Sequence, residues 1–146
     1  MAAIPDEAKH LFEGKNFAHV ATINKDGSPQ VSPVWVRIEG DLIVFNTTEG
    51  LLKTKNIRRN PSVAVSITAP PEENPLEHLV VQGKVVEMTH EGADDDMDAQ
   101  TKRYIGLDTF PLRQPGEERV MVKIQPEKAL HRGHNMLITD GTIKIV

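Results

Sequence analysis

Apolar and polar residues alternate along much of this chain, and turn residues separate the alternating runs. This pattern predicts short antiparallel strands. The first half predicts strands at residues 17–23, 29–38 and 42–45, joined by tight turns into a three-strand meander. Pro33 lies inside the second strand and cannot donate to a ladder, so it marks an edge, a bulge or a place where another group meets the backbone.

The second half continues the alternation and predicts strands at residues 62–68, 76–88 and 119–124, the last of which ends before Pro126. It also predicts a hairpin at residues 137–146 with its turn at Asp140-Gly141. Helices are predicted at residues 5–13, 51–60 and 91–104, the last with Asp94, Asp95, Asp96 and Asp98 near its start, where the helix dipole favours acids. Gly83 predicts a bulge or a bend of the kind that closes a small barrel. The predicted class is mainly β (α+β), an antiparallel barrel with short inserted helices.

The predicted helix after strand 42–45 carries four cations within seven residues, namely Lys53, Lys55, Arg58 and Arg59. The whole chain has a net charge of −4, so this local cluster is distinctive. Free N–H groups and the dipole at a helix start favour an anion such as phosphate, and ammonium groups strengthen that preference. The spacing matches neither the P-loop nor the dinucleotide glycine motif. A solvated basic face explains the same charges equally well.

Length and composition restrict the possible functions. The 146 residues predict one domain, with an N-terminal helical segment at 1–16 and a C-terminal tail or hairpin at 129–146. The chain has no cysteine, which excludes disulfides and thiolate metal sites and is compatible with the cytoplasm. No apolar run has membrane-spanning length, and a pI near 5.8 with few aromatic residues argues against nucleic acid. We therefore expect a cytoplasmic protein with no membrane or nucleic-acid partner.

No set of side chains predicts catalysis or metal binding by itself. His131 and His134 are three residues apart, but Gly133 breaks a helical presentation, and no carboxylate or third histidine lies nearby at ligand spacing. We expect a loop with solvent-exposed histidines and no metal site. The nucleophile motif of the α/β-hydrolases is missing. If the chain is an enzyme, a bound cofactor is expected to carry the chemistry.

Three segments resemble the flavin-reductase-like split β-barrels of the pyridoxamine 5′-phosphate oxidase superfamily. The run from Val20 to Val36, with its Gln-Val-Ser-Pro-Val-Trp strand, looks like the opening of these proteins, and Lys53 to Pro61 looks like their phosphate-binding helix. The same Gln-Val-Ser-Pro-Val-Trp strand and the third segment, residues 91–106 followed by Phe110-Pro111, are similar to the branch that uses the deazaflavin coenzyme F420. The resemblance covers about residues 17–128.

The resemblance implies a homodimer of split barrels with two cofactors in clefts at the dimer interface. Lys53 would contact the cofactor phosphate with Lys55 as a second cation, the end of strand 42–45 would supply donors, and the segment after Ser32 would lie along the ring. Gln82 would reach the cofactor of the partner subunit. The complete set that the resemblance implies is Pro33, Val34, Trp35, Asn46, Thr47, Thr48, Lys53, Lys55, Asn56 and Gln82.

The implied activity is hydride transfer from reduced F420 to an electrophilic double bond of a small conjugated substrate. Arg58 and Arg59 would serve the acidic F420 tail if they face the cleft. An FMN-dependent oxidase or reductase of the same fold is the first alternative, and a non-enzymatic carrier of flavin, deazaflavin or haem is the second. Haem would require an axial ligand, for which His131 and His134 are the candidates. No tryptophan follows Trp35, so pyridoxamine 5′-phosphate itself is not implied as the substrate.

Overall fold

Nine strands, two α-helices and one 3-10 helix make up the part of the chain that the computed structural model describes, which is residues 3–146, without the side chains of 137–139. In chain order they are the 3-10 helix Asp6–Phe12, β1 (Ala18–Ile23), β2 (Pro29–Val34), β3 (Val36–Glu39), β4 (Leu42–Thr48), α1 (Leu52–Arg59), β5 (Ser62–Thr68), β6 (His78–Thr89), α2 (Ala93–Ile105), β7 (Arg119–Arg132), β8 (Met136–Thr139) and β9 (Thr142–Ile145). The predicted mainly-β architecture with short inserted helices is confirmed.

Seven strands form one sheet in the order β2-β1-β5-β6-β7-β4-β3, and all neighbours are antiparallel. The two edge strands, β2 and β3, are separated in sequence by Trp35 alone. Because one residue cannot span an open sheet of seven strands, the sheet curls until its edges approach each other. The result is the split antiparallel barrel.

The predicted meander is wrong at its second strand. The predicted strand 29–38 divides at Trp35, since β2 pairs with β1 whereas β3 pairs with β4. The apolar alternation runs on through Trp35, so the pattern does not reveal that the chain changes partners there. Pro33 lies on the edge strand β2, which confirms the first of its three interpretations.

The expected strand end at Pro126 is also wrong, because β7 continues to Arg132. Pro126 pairs with Gly83 at one of the two positions where the register of β6 against β7 shifts. A bulge locally disrupts the ladder, which accommodates a residue that has no N–H to donate. The predicted bulge at Gly83 is confirmed.

The barrel interior collects the apolar residues of the alternating strands, and the 3-10 helix closes it with Ala8, Leu11 and Phe12, which are all buried. The predicted terminal hairpin forms as β8 and β9, a separate two-stranded sheet. Its turn residues Asp140 and Gly141 both have positive φ, at 50° and 74°, which is typical of a two-residue type I′ turn.

Candidate cofactor-binding cleft

A cleft of about 420 Å³ opens where the chain crosses from β2 to β3, beside the end of β4, the start of α1, helix α2 and the loop that follows α2. One part of its lining is apolar, with three aromatic side chains, and consists of Phe17, Pro33, Val34, Trp35, Leu51, Met97, Phe110 and Leu112. The other part is polar or charged, and consists of Asn46, Thr47, Thr48, Lys53, Gln100, Glu117 and Arg119. This combination suits a ligand with a planar ring and an anionic arm.

Helix α2 holds Trp35 in place. The Trp35 indole stacks on the Tyr104 ring with centroids 5.0 Å apart and 9° between the planes. The Tyr104 hydroxyl accepts from the Val36 N–H at 3.1 Å and donates to the Asn16 carbonyl at 2.7 Å. Arg103 donates to the carbonyls of Phe12 and Val36. These contacts attach the crossing from β2 to β3 to helix α2 and to the segment before β1. Trp35 is therefore a rigid part of the cleft wall.

The polar side of the cleft is fixed through Asn46 at the end of β4. Its amide donates to the Ala93 carbonyl at 2.8 Å and to the Asp96 carboxylate at 2.9 Å. Its oxygen accepts from the Arg119 guanidinium at 3.3 Å. Asp96 therefore orients Asn46, and Asn46 orients Arg119, so that a residue of the α2 first turn positions a cation in the cleft.

The start of α1 is anchored to the same strand end. The buried Thr47 and Thr54 hydroxyls share a hydrogen bond of 3.1 Å, and Thr54 donates to the Thr48 carbonyl at 2.7 Å. No side chain of the described residues caps the N-terminus of α1. Its first N–H groups are thus available to a ligand at the cleft.

Lys53, in the first turn of α1, is a half-buried cation. Burial and, secondarily, the charge of Arg119 lower the pKa of Lys53 from its ordinary value of 10.5, and no carboxylate among residues 3–146 contributes to this shift. Arg119 itself is paired with Glu117 at 3.2 Å and lies over the Phe110 ring at 4.8 Å. The local field in this part of the cleft therefore favours an anion.

Seven of the ten residues implied by the resemblance line this cleft, namely Pro33, Val34, Trp35, Asn46, Thr47, Thr48 and Lys53. Lys55 is exposed on α1 outside the lining. Asn56 is buried, and its amide donates to Thr22 at 3.0 Å and to Asn24 at 2.8 Å. Gln82 lines a separate cavity, formed with residues of β1 and β5. The roles of all ten remain predictions.

The two arginines of α1 do not line the cleft. Arg58 forms an ion pair of 2.5 Å with Glu49, and Arg59 donates to the Ile23 carbonyl at 2.7 Å. The N–H donors of both arginines are used in these local contacts. Within one chain, Arg58 and Arg59 therefore do not face the cleft, which was the condition for their binding an acidic cofactor tail.

Sequence reasoning missed a set of cleft residues that includes Arg119, Glu117 and Gln100. Arg119 is opposite Thr48 in the β4–β7 register. The pattern predicted a strand from 119 but contained no signal for its partner, so the convergence of Arg119 with Lys53 depends on sheet topology.

The expectation of solvent-exposed histidines is wrong for His131, whose side chain is 3% exposed and lies 2.7 Å from the Glu77 carboxylate. Only His134 of this pair is exposed. Neither ring lines the cleft. The turn at Gly133 packs against the loop before β6, and this burial was not visible in the sequence.

Comparison with known proteins gives a consistent result. The sequence model of the family described as pyridoxamine 5′-phosphate oxidase matches residues 4–133. A search of curated proteins gave no match. Among solved structures, one described as an F420 reductase is 29% identical with a TM-score of 0.75, over 87% of this chain and 98% of that chain. A conserved hypothetical protein from Mycobacterium tuberculosis is 21% identical with a TM-score of 0.71, over 92% of this chain and 87% of that chain.

Family and fold together indicate an oxidoreductase-like protein with a flavin-type cofactor. Within residues 3–146, no helix combines the length and the apolar character needed to cross a membrane.

Proposed function

The chain belongs to the pyridoxamine 5′-phosphate oxidase family, and on that premise we propose that it is an oxidoreductase that binds coenzyme F420 in the cleft and reduces a small conjugated organic substrate. The observation that carries the proposal is Lys53, a half-buried cation beside Arg119 at the uncapped start of α1. The solved F420 reductase that is 29% identical to this chain supports F420 as the cofactor.

The residues of the cleft fit such a cofactor. Lys53, the start of α1 and the polar end of β4 would hold the phosphate, while Pro33, Val34 and Trp35 would lie along the ring. When bound, the reduced cofactor supplies a hydride for an electrophilic double bond of the substrate. The chain itself would bind and orient the reactants, with the apolar part of the lining against the ring. No protein acid is required, because solvent can protonate the product.

FMN is the second candidate cofactor, because the same cationic site at α1 would accept its phosphate. The two cofactors differ in the acidic tail that F420 carries. Since Arg58 and Arg59 are engaged elsewhere within the chain, the tail would extend toward solvent or toward a partner subunit.

Parallel equilibrium titrations with F420 and FMN, followed by cofactor fluorescence, test the assignment. We expect F420 to bind more tightly by ~tenfold or more, about 1.4 kcal/mol. A preference for FMN would replace the F420 proposal with a flavin-dependent one that uses the same cleft. Binding of neither would overturn both, and the basic helix would be a solvated face.

The variant Lys53→Ala tests the phosphate site directly. We expect it to weaken F420 binding by about 1.5–3 kcal/mol, the range for a hydrogen bond to a charged group. Lys25→Ala, which removes the same charge from an exposed turn, is the matched control and should leave the affinity unchanged. Equal affinities of Lys53→Ala and the unmodified chain would remove Lys53 from the site. Lys55→Ala tests the predicted second cation in the same assay.

Binding and turnover must be assayed separately. An enzyme should oxidise reduced F420 in the presence of conjugated acceptors, with a rate that saturates in acceptor. Tight F420 binding without turnover of any acceptor would instead support a carrier of the cofactor.

A further inference from the structure

A second cluster of chemically active side chains lies outside the cofactor cleft, where the 3-10 helix meets the end of β7. Glu7, His131 and His134 each offer one ligand atom, and these three atoms lie within 4.8 Å of one another. None of these residues lines the cleft. We propose that they form a binding site for a divalent transition-metal ion of the Zn²⁺ type.

The state of the His131 ring supports the proposal independently of this clustering. The side chain is 97% buried, at 3% exposure, and its Nε2–H donates to the Glu77 carboxylate at 2.7 Å. Its Nδ1 is buried and has no hydrogen-bond partner among the described residues. A buried nitrogen without a partner is costly, and a metal ion would use its lone pair.

Glu77 is placed as the supporting carboxylate of a metal-binding histidine. Metal-ligating imidazoles usually donate their second N–H to a carboxylate, which fixes the tautomer and the ring orientation. Glu77 is itself 6% exposed, and its other oxygen is 2.9 Å from His10 Nε2. Held from both sides, Glu77 fixes the orientation of the His131 ring.

The turn at Gly133 explains how two histidines converge without a helix. Gly133 has φ +77°, and an added Cβ would overlap the Leu76 carbonyl. The Gly133 carbonyl also accepts from the Asn74 amide at 2.9 Å. This turn folds His134 back over His131, and the two rings lie 4.3 Å apart with 21° between their planes.

Two imidazoles and one carboxylate are ligands that suit Zn²⁺ and its neighbours, and three protein ligands leave a fourth tetrahedral position for water or an external group. Tetrahedral ligands of Zn²⁺ lie ~3.3 Å apart, so the widest pair would approach by at most about 1.5 Å. Glu7 and His134 are exposed and can move to make this approach. A metal ion lies near the plane of each imidazole that binds it, so His134 would leave its stack on His131 when the ion binds. The ion would join the N-terminal 3-10 helix to the β7–β8 connection, whether or not the cleft binds F420.

The test is a titration of the full chain, without a histidine tag and after treatment with a chelator, with ZnCl₂ in competition with a chromophoric chelator. We expect one ion per chain. His134→Ala should weaken binding at least tenfold, and Glu7→Gln should weaken it several-fold. His19→Ala removes an exposed histidine from β1 and serves as the control with unchanged affinity. If His134→Ala and Glu7→Gln both bind Zn²⁺ within twofold of the unmodified chain, the proposal is overturned. It is also overturned if no one-to-one binding is found with a dissociation constant below ~100 µM, about 5.5 kcal/mol of binding free energy.

Imidazole ¹⁵N spectra supply a second readout that does not depend on any variant folding. On addition of Zn²⁺, we expect the Nδ1 resonance of His131 to move to the metal-bound range while its Nε2 keeps the proton donated to Glu77. A shift at Nε2, or shifts confined to His19, His78 and His90, would place the ion elsewhere and contradict the assignment.

Discussion

Lys53 is the residue on which the candidate site depends most. Its neighbours do not compensate its charge, since burial and Arg119 both lower its pKa from the ordinary 10.5. A bound phosphate would supply the missing negative charge and stabilise the protonated form. Binding of the cofactor is therefore expected to raise the pKa of Lys53, which couples affinity to pH.

This coupling predicts the direction of a pH dependence. At a pH below the lowered pKa that Lys53 has in the free protein, its side chain is protonated both with and without the cofactor. In that range the protonation of Lys53 does not change the affinity. As the pH rises through that pKa toward and beyond 10.5, binding must take up a proton, so the affinity for F420 falls. Fluorescence titrations from pH 7.5 upward measure this fall.

Lys53→Arg is the matched variant for the pH experiment, because arginine stays protonated over the same range. We expect its alkaline loss of affinity to be much smaller than that of the unmodified chain. Equal pH profiles for the two proteins would show that another group is responsible.

Among the elements, the β6–β7 pair carries the most demanding geometry. It forms the middle of the sheet, and its register shifts at Gly83, opposite Pro126. A Cβ at Gly83 would overlap the Gln125 carbonyl oxygen, which is backbone and cannot rotate away. Gly83 is therefore required at one of the two positions where the β6–β7 register shifts, and β7 continues beyond it to Arg132.

Gly83→Ala is expected to lower the free energy of unfolding by about 1–3 kcal/mol, the usual cost of overpacking. Gly14→Ala is the control, since an added Cβ there meets only the Asn16 side chain at 3.4 Å. Urea denaturation of both variants gives the comparison. If Gly83→Ala lowers the free energy of unfolding no more than Gly14→Ala does, the strand pair relaxes around the new methyl group.

At the scale of the whole molecule, the outer face of the sheet carries apolar side chains. Val80 on β6 and Leu130 on β7 are exposed and pair directly across the two strands. Gln82 is on the same face as Val80, two residues further along β6. A homodimer formed through this face would cover the apolar pair and bring Gln82 to the partner subunit, as the family resemblance implies.

We therefore predict a dimer in solution. Light scattering during gel filtration should give about twice the chain mass of 16.2 kDa. Leu130→Glu should shift the mass toward the monomer and weaken F420 binding, whereas Ile145→Glu, in the terminal hairpin, should change neither. A monomeric mass for the unmodified chain would contradict the dimer, and a dimeric Leu130→Glu would move the interface to another face.

Local signals were sufficient for much of the fold. Gly83 indicated its bulge, and Pro33 included an edge strand among its three interpretations, because each residue acts through its own backbone. Pro126 misled, since its tolerance within β7 depends on the bulge in a neighbouring strand. The continuous alternation through Trp35 likewise concealed a change of partner from β1 to β4.

The sequence by itself determined the order of strand, turn and helix around Asn46, Thr47, Thr48 and Lys53, because these residues are neighbours in the chain and follow local preferences. The predicted strand ended at residue 45, however, whereas β4 runs from Leu42 to Thr48. Only the tertiary structure decided that Arg119 enters the same cleft, through the pairing of β7 with β4. It alone decided that Glu7 meets His131 and His134, which come from opposite ends of the chain. Contacts between distant residues depend on strand order and barrel closure, and the period of a single segment carries no information about either.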